Sequence, residues 1–168
     1  MLPGSITQPN WIPTVADDTD AMHAKKIPVP AQPAAGLWTR VLDFVPAGRK
    51  LKIQVVGTPE WIYDKTKTAC AADGAPADGT GTLLPQAVIG CLIGKVGGSA
   101  ADSFPVPPNA AAASNITNPS IFVFAVGSFC VVQVPTTVSG ALFLTMNDFA
   151  ANFLQHAGSV DVQVYDAS

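Results

Sequence analysis

Hydrophobic and polar side chains alternate along two stretches near the end of the sequence. Residues 140–146 (GALFLTM) and residues 160–165 (VDVQVY) each show this two-residue period. Such a period is typical of a β-strand with one face on a hydrophobic core. The loop between the two stretches, residues 147–158, carries five side chains with oxygen or nitrogen atoms: Asn147, Asp148, Asn152, Gln155 and His156. The pattern therefore predicts two strands joined by a polar loop.

Four further stretches have strand character. Residues 37–45 and 51–56 lie on either side of a Pro-Ala-Gly turn, and in the second of them the hydrophobic positions are expected to face the core. Residues 88–96 are apolar on both faces, as in a buried central strand. Residues 121–134 are interrupted by Gly127 and Ser128, which predicts a β-hairpin. Because no long helical pattern is present, the fold class expected is an all-β sandwich.

Prolines are concentrated in the first 35 residues. This stretch contains Pro3, Pro9, Pro13, Pro28, Pro30 and Pro33. Prolines at this density disfavour helices and central strands. We therefore expect an extended Pro-rich arm over residues 1–35 and a sandwich domain over residues 36–168. The arm is predicted to pack on its own domain or on a neighbouring subunit, through which the chain would associate.

Composition narrows the possible partners. Of the 168 residues, only 12% are charged and 48% are hydrophobic, which allows a sizeable core and leaves a surface poor in charge. Such a surface suits contacts between subunits in an oligomeric assembly. The net charge is −3, and no lysine or arginine follows Lys95, so no nucleic-acid partner is expected.

The sequence contains no obvious signal for a membrane or for secretion. The first residues, MLPGSITQPNW, have neither a basic segment nor an apolar one, which predicts synthesis in the cytoplasm followed by release or by incorporation into a virion or surface assembly. The apolar run 121–134 is too short to span a bilayer. The odd number of cysteines, three, favours free buried thiols over disulfides or a metal role.

Motifs for catalysis were sought and not found. The segment from Gly90 to Lys95 is one residue too short for a phosphate-binding loop, and Val96 replaces the serine or threonine that should follow. The chain has two histidines and a single glutamate, Glu60. We therefore expect a protein that is not an enzyme.

Three sequence motifs, in the same order along the chain, resemble the PA-I-type galactophilic lectins of bacteria. The first is GRKLKIQVVG at residues 48–57, and the second is ACAADG followed by LLPQAVIGCLIGKVG at residues 83–97. The third is NDFAANFLQHAGSV after a GALFLT strand. The resemblance spans about residues 37–164 and implies a jelly-roll, galactose-binding-like β-sandwich that binds galactosides through one calcium ion.

The resemblance also implies roles for individual residues. Asp148 stands at the position of the carboxylate that contacts both calcium and sugar, and Asn147 precedes it as in the family. Trp61 and Asn152 stand where backbone carbonyls reach the metal, while Gln155 and His156 replace two loop asparagines. The implied metal ligands are Asp148, Asn152, Trp61 and Gln155. The implied sugar contacts are Asp148, Asn147, Gln155 and His156, with Trp61 or Tyr63 beside the ring.

The sequence also departs from the family. Imidazole is a poor calcium ligand, and the family's sugar-contacting histidine and glutamine have no clear counterpart in ADGAPADGTGTLL at residues 72–84. His156 could equally be a loop histidine bonded to backbone, and Trp61 or Tyr63 could be core residues. Two hypotheses therefore remain: a carbohydrate-binding module, and a structural decoration or adhesin subunit of a phage virion or surface assembly.

Overall fold

A computed structural model describes residues 10–57, 60–64, 66, 69–100 and 121–167. Within these residues the chain forms ten β-strands and one short 3-10 helix. The strands are β1 (Trp11–Pro13), β2 (Ile27–Pro30), β3 (Thr39–Val45), β4 (Lys50–Val56), β5 (Trp61–Ile62), β6 (Leu92–Val96), β7 (Phe122–Ala125), β8 (Phe129–Gln133), β9 (Gly140–Met146) and β10 (Ala157–Ala167). The 3-10 helix, Ala150–Gln155, lies between β9 and β10.

The strands form two antiparallel sheets, which confirms the predicted all-β sandwich. One sheet has four strands in the order β3-β9-β6-β7. The other has six strands and is built around β10, which pairs with β4 and β5 along one edge and with β1 and β2 along the other. The two stretches with the clearest alternation, β9 and β10, thus lie in different sheets, and the polar loop between them crosses one end of the sandwich.

Two strands of the six-stranded sheet come from the predicted N-terminal arm. Ile27–Pro30 pairs with β10 from Val162 back to Ser159, and Trp11–Pro13 pairs with its last residues. Val29 and Ala31 are completely buried in the main core. The prolines fit this arrangement because β1 and β2 each use only one edge for pairing, as expected of edge strands. The described part of the arm, residues 10–35, therefore packs on its own domain.

The four-stranded sheet is covered on both faces. Leu92, Leu142 and Leu144 point into the core between the sheets, whereas Ile93 and Phe143 belong to a second cluster on the outer face with Trp38. This second cluster explains why β6 is buried along its whole length, as its sequence predicted.

An unexpected lysine lies in that outer cluster. Lys95 is completely buried, its ammonium nitrogen donates a hydrogen bond to the carbonyl oxygen of Ser99, and it lies 4.8 Å from the ring centroids of both Trp38 and Phe143. Aromatic faces attract a cation, so the two rings help to stabilise this buried charge.

The predicted hairpin over residues 121–134 is wrong. Its two halves, β7 and β8, do not pair with each other: β7 pairs with β6 in one sheet and β8 with β4 in the other. The chain crosses between the sheets at Gly127 and Ser128. Gly127 has a φ of 64°, and the Asp73 carboxylate accepts a hydrogen bond from the backbone nitrogen of Ser128 at 2.8 Å. A Cβ at Gly127 would lie 2.6 Å from that carboxylate, so the corner requires glycine.

All three cysteines are free, as predicted, but only Cys91 is buried, whereas Cys70 and Cys130 are partly exposed. Burial raises the pKa of the Cys130 thiol to about 11, which keeps it protonated and unreactive near neutral pH. In the described part of the chain, no helix has the length and apolar character needed to cross a membrane.

A matched pair of substitutions tests whether the arm belongs to the fold. Val29→Ala, at a fully buried position, should lower the free energy of unfolding by about 2 kcal/mol, because two buried methyl groups are lost and a cavity remains. Val131→Ala, at a position 49% exposed on β8, should change it by less than about 0.5 kcal/mol. Urea denaturation followed by tryptophan fluorescence measures both, and equal effects would argue against a structural role for β2.

Candidate functional site

Asn147 fixes the start of the polar loop to the segment before β6. Its side-chain oxygen accepts a hydrogen bond from the backbone nitrogen of Leu84 at 2.9 Å. Its side-chain nitrogen donates to the carbonyl oxygens of Leu84, Ala87 and Val88 at 2.9 to 3.2 Å. The side chain is completely buried, and its hydrogen-bonding groups are all used. Asn147 therefore clamps two loops together and lies behind the surface of the site.

Asp148 and His156 form a buried pair next to this clamp. Nε2 of His156 lies 2.9 Å from Oδ2 of Asp148, and both side chains are almost fully buried. Oδ1 of Asp148 accepts a hydrogen bond from the backbone nitrogen of Phe149 at 2.7 Å. Nδ1 of His156 lies 2.7 Å from the carbonyl oxygen of Ala31, immediately after β2. The predicted contact of a loop histidine with backbone is thus present, and it connects the polar loop to the arm.

The 3-10 helix presents two amide side chains on one face. A 3-10 helix has three residues per turn, so side chains three positions apart eclipse each other. Asn152 and Gln155 have this spacing and are exposed, whereas Phe153 between them is buried and packs against the His156 ring at 4.5 Å between centroids. The helix is therefore anchored by one aromatic side chain and displays its amides to solvent.

These groups surround a small cavity at the end of the sandwich. The cavity has a volume of about 110 Å³ and is lined by Tyr63, Asp64, Ile89, Asp148, Asn152 and Gln155. Four of the residues predicted from the sequence are brought together here: Asp148, Asn152, Gln155 and Tyr63. The other three predicted residues, Asn147, His156 and Trp61, do not line this cavity. The ligand-binding role of all seven stays a prediction.

Trp61 is part of the core. Its side chain is completely buried, and its indole nitrogen donates a hydrogen bond to the carbonyl oxygen of Gly90 at 2.8 Å. Its own carbonyl oxygen accepts a hydrogen bond from the backbone nitrogen of Cys70 at 2.8 Å. Tyr63, two residues further along, is the aromatic residue that reaches the cavity.

The cavity also includes two residues that the sequence analysis missed, Asp64 and Ile89. Oδ1 of Asp64 accepts hydrogen bonds from the backbone nitrogen and the hydroxyl group of Thr66, and the same Asp-x-Thr turn is found at Asp17 and Asp78. In these turns the carboxylate stabilises local backbone. The signal for Asp64 was its position directly after the aromatic strand β5, two residues before a threonine.

The contacts around Asp148 do not fit the calcium ion that the resemblance implies. Calcium needs six to eight oxygen ligands, and here a ring nitrogen of His156 faces the carboxylate where another oxygen would be required. Over the described residues, no cluster of three histidine, cysteine, aspartate or glutamate side chains could hold a metal ion.

A larger cavity lies at the opposite end of the sandwich, near the last residues of β3 and β10. It measures about 590 Å³, and its lining includes Ile12, Leu42 and Phe44 together with the ion pair between Arg49 and Asp166. No residue predicted as a ligand contact lines it, and its walls are mainly apolar.

Comparison with known proteins supports the architecture. The chain is similar in structure to the EclA N-terminal domain, described as a PllA-like lectin, with a TM-score of 0.51 and 18% sequence identity. The match covers 84% of this chain and 94% of that one. At this identity the likeness shows the fold, a β-sandwich of the kind found in this lectin domain. No family model and no curated protein matches the chain.

An isosteric pair of substitutions separates the clamp from the surface of the site. Asn147→Asp should lower the free energy of unfolding by at least about 3 kcal/mol, because an oxygen would replace the nitrogen that faces three carbonyl oxygens. Asn152→Asp, at an exposed position, should change it by no more than about 0.5 kcal/mol. Chemical denaturation at neutral pH measures both values. A stable Asn147→Asp protein would contradict the assigned role of Asn147.

Proposed function

We propose that this protein is a non-catalytic carbohydrate-binding module that binds a galactoside-type sugar at the cavity beside Asp148. The observation that carries the proposal is the convergence of Asp148, Asn152, Gln155 and Tyr63 on one cavity at the end of a lectin-like sandwich. These residues were selected from the sequence as sugar contacts or metal ligands, and they come from two separate parts of the chain, Tyr63 and residues 148–155.

The chemistry of the lining suits sugar hydroxyl groups. Each amide of Asn152 and Gln155 offers a donor and an acceptor, and the Asp148 carboxylate offers acceptors. Two neighbouring hydroxyl groups of a sugar could therefore each donate one hydrogen bond and accept another. The ring of Tyr63 provides an apolar face for the C–H groups of a sugar, and its hydroxyl a further polar contact. Because the amides stand on a helix anchored by Phe153, their separation is fixed before a ligand binds.

The size of the cavity indicates how a sugar would be bound. At about 110 Å³ it is well below the roughly 300–1,000 Å³ typical of pockets that enclose a ligand. A sugar would therefore be held by one edge, with most of its surface in solvent, which predicts weak binding at a single site. Several sites in an oligomeric assembly would then raise the overall affinity through effective concentration.

A galactoside panel on a glycan array, followed by calorimetry, tests this proposal. Gln155→Ala should weaken binding by about tenfold, equivalent to about 1.4 kcal/mol, because it removes an amide with both donor and acceptor. The matched control is Gln133→Ala, also at an exposed glutamine but on β8. Unchanged binding by Gln155→Ala and by Tyr63→Ala would place any sugar site elsewhere.

A second function, as a structural subunit of a virion or surface assembly, is favoured by strand β8. Among the described strands, β8 pairs only with β4, so it lies at the edge of the six-stranded sheet. Phe129 and Val131 are 57% and 49% exposed, and residues 129–133 include no charged side chain. Exposed apolar edges without charges readily pair with another chain, which natural proteins usually prevent.

The edge of β8 makes this second function testable. If β8 mediates assembly, Val131→Lys should shift the protein toward monomer, because a charged side chain opposes edge-to-edge pairing. Val15→Lys, at a position 40% exposed beside β1, is the control. Light scattering after size-exclusion chromatography measures the mass of each. The same mass for wild type and Val131→Lys would count against assembly through β8.

A further inference from the structure

The geometry around His156 fixes where its hydrogens lie. The oxygen of Ala31 is a carbonyl and can only accept, so Nδ1 of His156, at 2.7 Å, carries a hydrogen. Nε2 lies 2.9 Å from Oδ2 of Asp148, a distance at which two lone pairs would repel each other. A hydrogen therefore lies between them as well.

This arrangement prevents His156 from acting as a metal ligand. A histidine binds a metal through the lone pair of a ring nitrogen, and here both nitrogens are used in hydrogen bonds. The ring cannot easily turn away, because it is 2% exposed and packs against Phe153. The side chain thus presents a hydrogen-bonded ring nitrogen to Asp148 from a fixed position.

The same arrangement leaves Asp148 able to bind neutral donors. Oδ1 accepts one hydrogen bond from Phe149 and Oδ2 one from His156, and each carboxylate oxygen has capacity for another. Asp148 also lines the cavity. A sugar hydroxyl can donate to it there, whereas a divalent cation beside Oδ2 would find a ring nitrogen of His156 where calcium needs a further oxygen ligand.

We propose that His156 takes the place of a metal ion beside Asp148, so that the cavity binds its ligand without a cation. The buried ring of His156 contacts the carboxylate from behind, and the exposed amides of Asn152 and Gln155 supply the remaining contacts. The inference about the ligand rests on the proposed carbohydrate-binding function. The inference about the cation does not, because it concerns only the buried pair.

The first test uses the wild-type chain without any sugar. Its melting temperature should be the same in calcium chloride and in EDTA, because a cation that does not bind the folded state cannot stabilise it. Terbium, a luminescent calcium substitute excited through nearby aromatic side chains, should show no saturable emission. A calcium-dependent rise in melting temperature that Asp148→Asn abolishes would overturn the inference.

The second test converts the site. His156→Asn removes the N–H group facing Asp148 and introduces an amide oxygen, so this variant should gain a calcium-dependent rise in melting temperature and terbium emission. Leu154→Asn, on the same helix and 70% exposed, is the control and should gain neither. A folded His156→Asn protein without any calcium response would show that His156 does not exclude the ion, which would also overturn the inference. If His156→Asn does not fold, the melting and terbium measurements on the wild-type chain decide whether a cation binds.

A glycan array probed in EDTA and in calcium separates this inference from the proposed function. Equal glycan binding in both buffers supports carbohydrate binding and the absence of a cation. Binding that requires calcium would overturn the inference and leave carbohydrate binding standing. A lack of binding to any glycan, in a protein that also ignores calcium and terbium, would remove the proposed function while supporting the absence of a cation.

Discussion

The contact between Asp148 and His156 connects three parts of the chain that are distant in sequence. Asp148 follows the end of β9, and His156 precedes the start of β10. The His156 ring contacts Asp148 on one side and the carbonyl oxygen of Ala31, at the end of β2, on the other. Burying polar side chains is costly unless their remaining groups are hydrogen-bonded. Here the backbone of Phe149 and the carbonyl oxygen of Ala31 provide those bonds. The position of the polar loop therefore depends on this pair.

The site has two layers with different functions. Behind the surface, Asn147 and His156 use their polar atoms to fix the loop, and the indole of Trp61 supports it from the core. In front, Asn152 and Gln155 remain exposed on a helix whose position is already determined. A rigid inner layer under an exposed polar one reduces the conformational freedom that would be lost when a ligand binds.

The strands of the fold could be predicted from the sequence, whereas their pairing could not. The alternation in β9 and β10 and the uniform apolar character of β6 follow directly from pleated geometry. The connection at Gly127 has the local signals of a hairpin, but β7 and β8 pair with different strands, and the distant carboxylate of Asp73 stabilises the crossing between sheets. The sequence likewise predicts that Asn147 is a polar residue of the loop, but it does not predict that the side chain is buried. Its burial depends on three carbonyl oxygens about 60 positions earlier in the chain, and no local pattern contains that information.

The central position of β10 determines how this molecule can fold. Its partners β1, β2, β4 and β5 all precede it in the chain, and the pairing of Trp11 with Ala167 closes a loop of about 150 residues. During synthesis those earlier strands emerge long before the strand that joins them. A topology dominated by such distant pairings is expected to fold slowly, and its unpaired edges are vulnerable to aggregation until β10 is inserted. Cellular yield should therefore depend strongly on chaperones and temperature, even for a chain whose finished sandwich is stable.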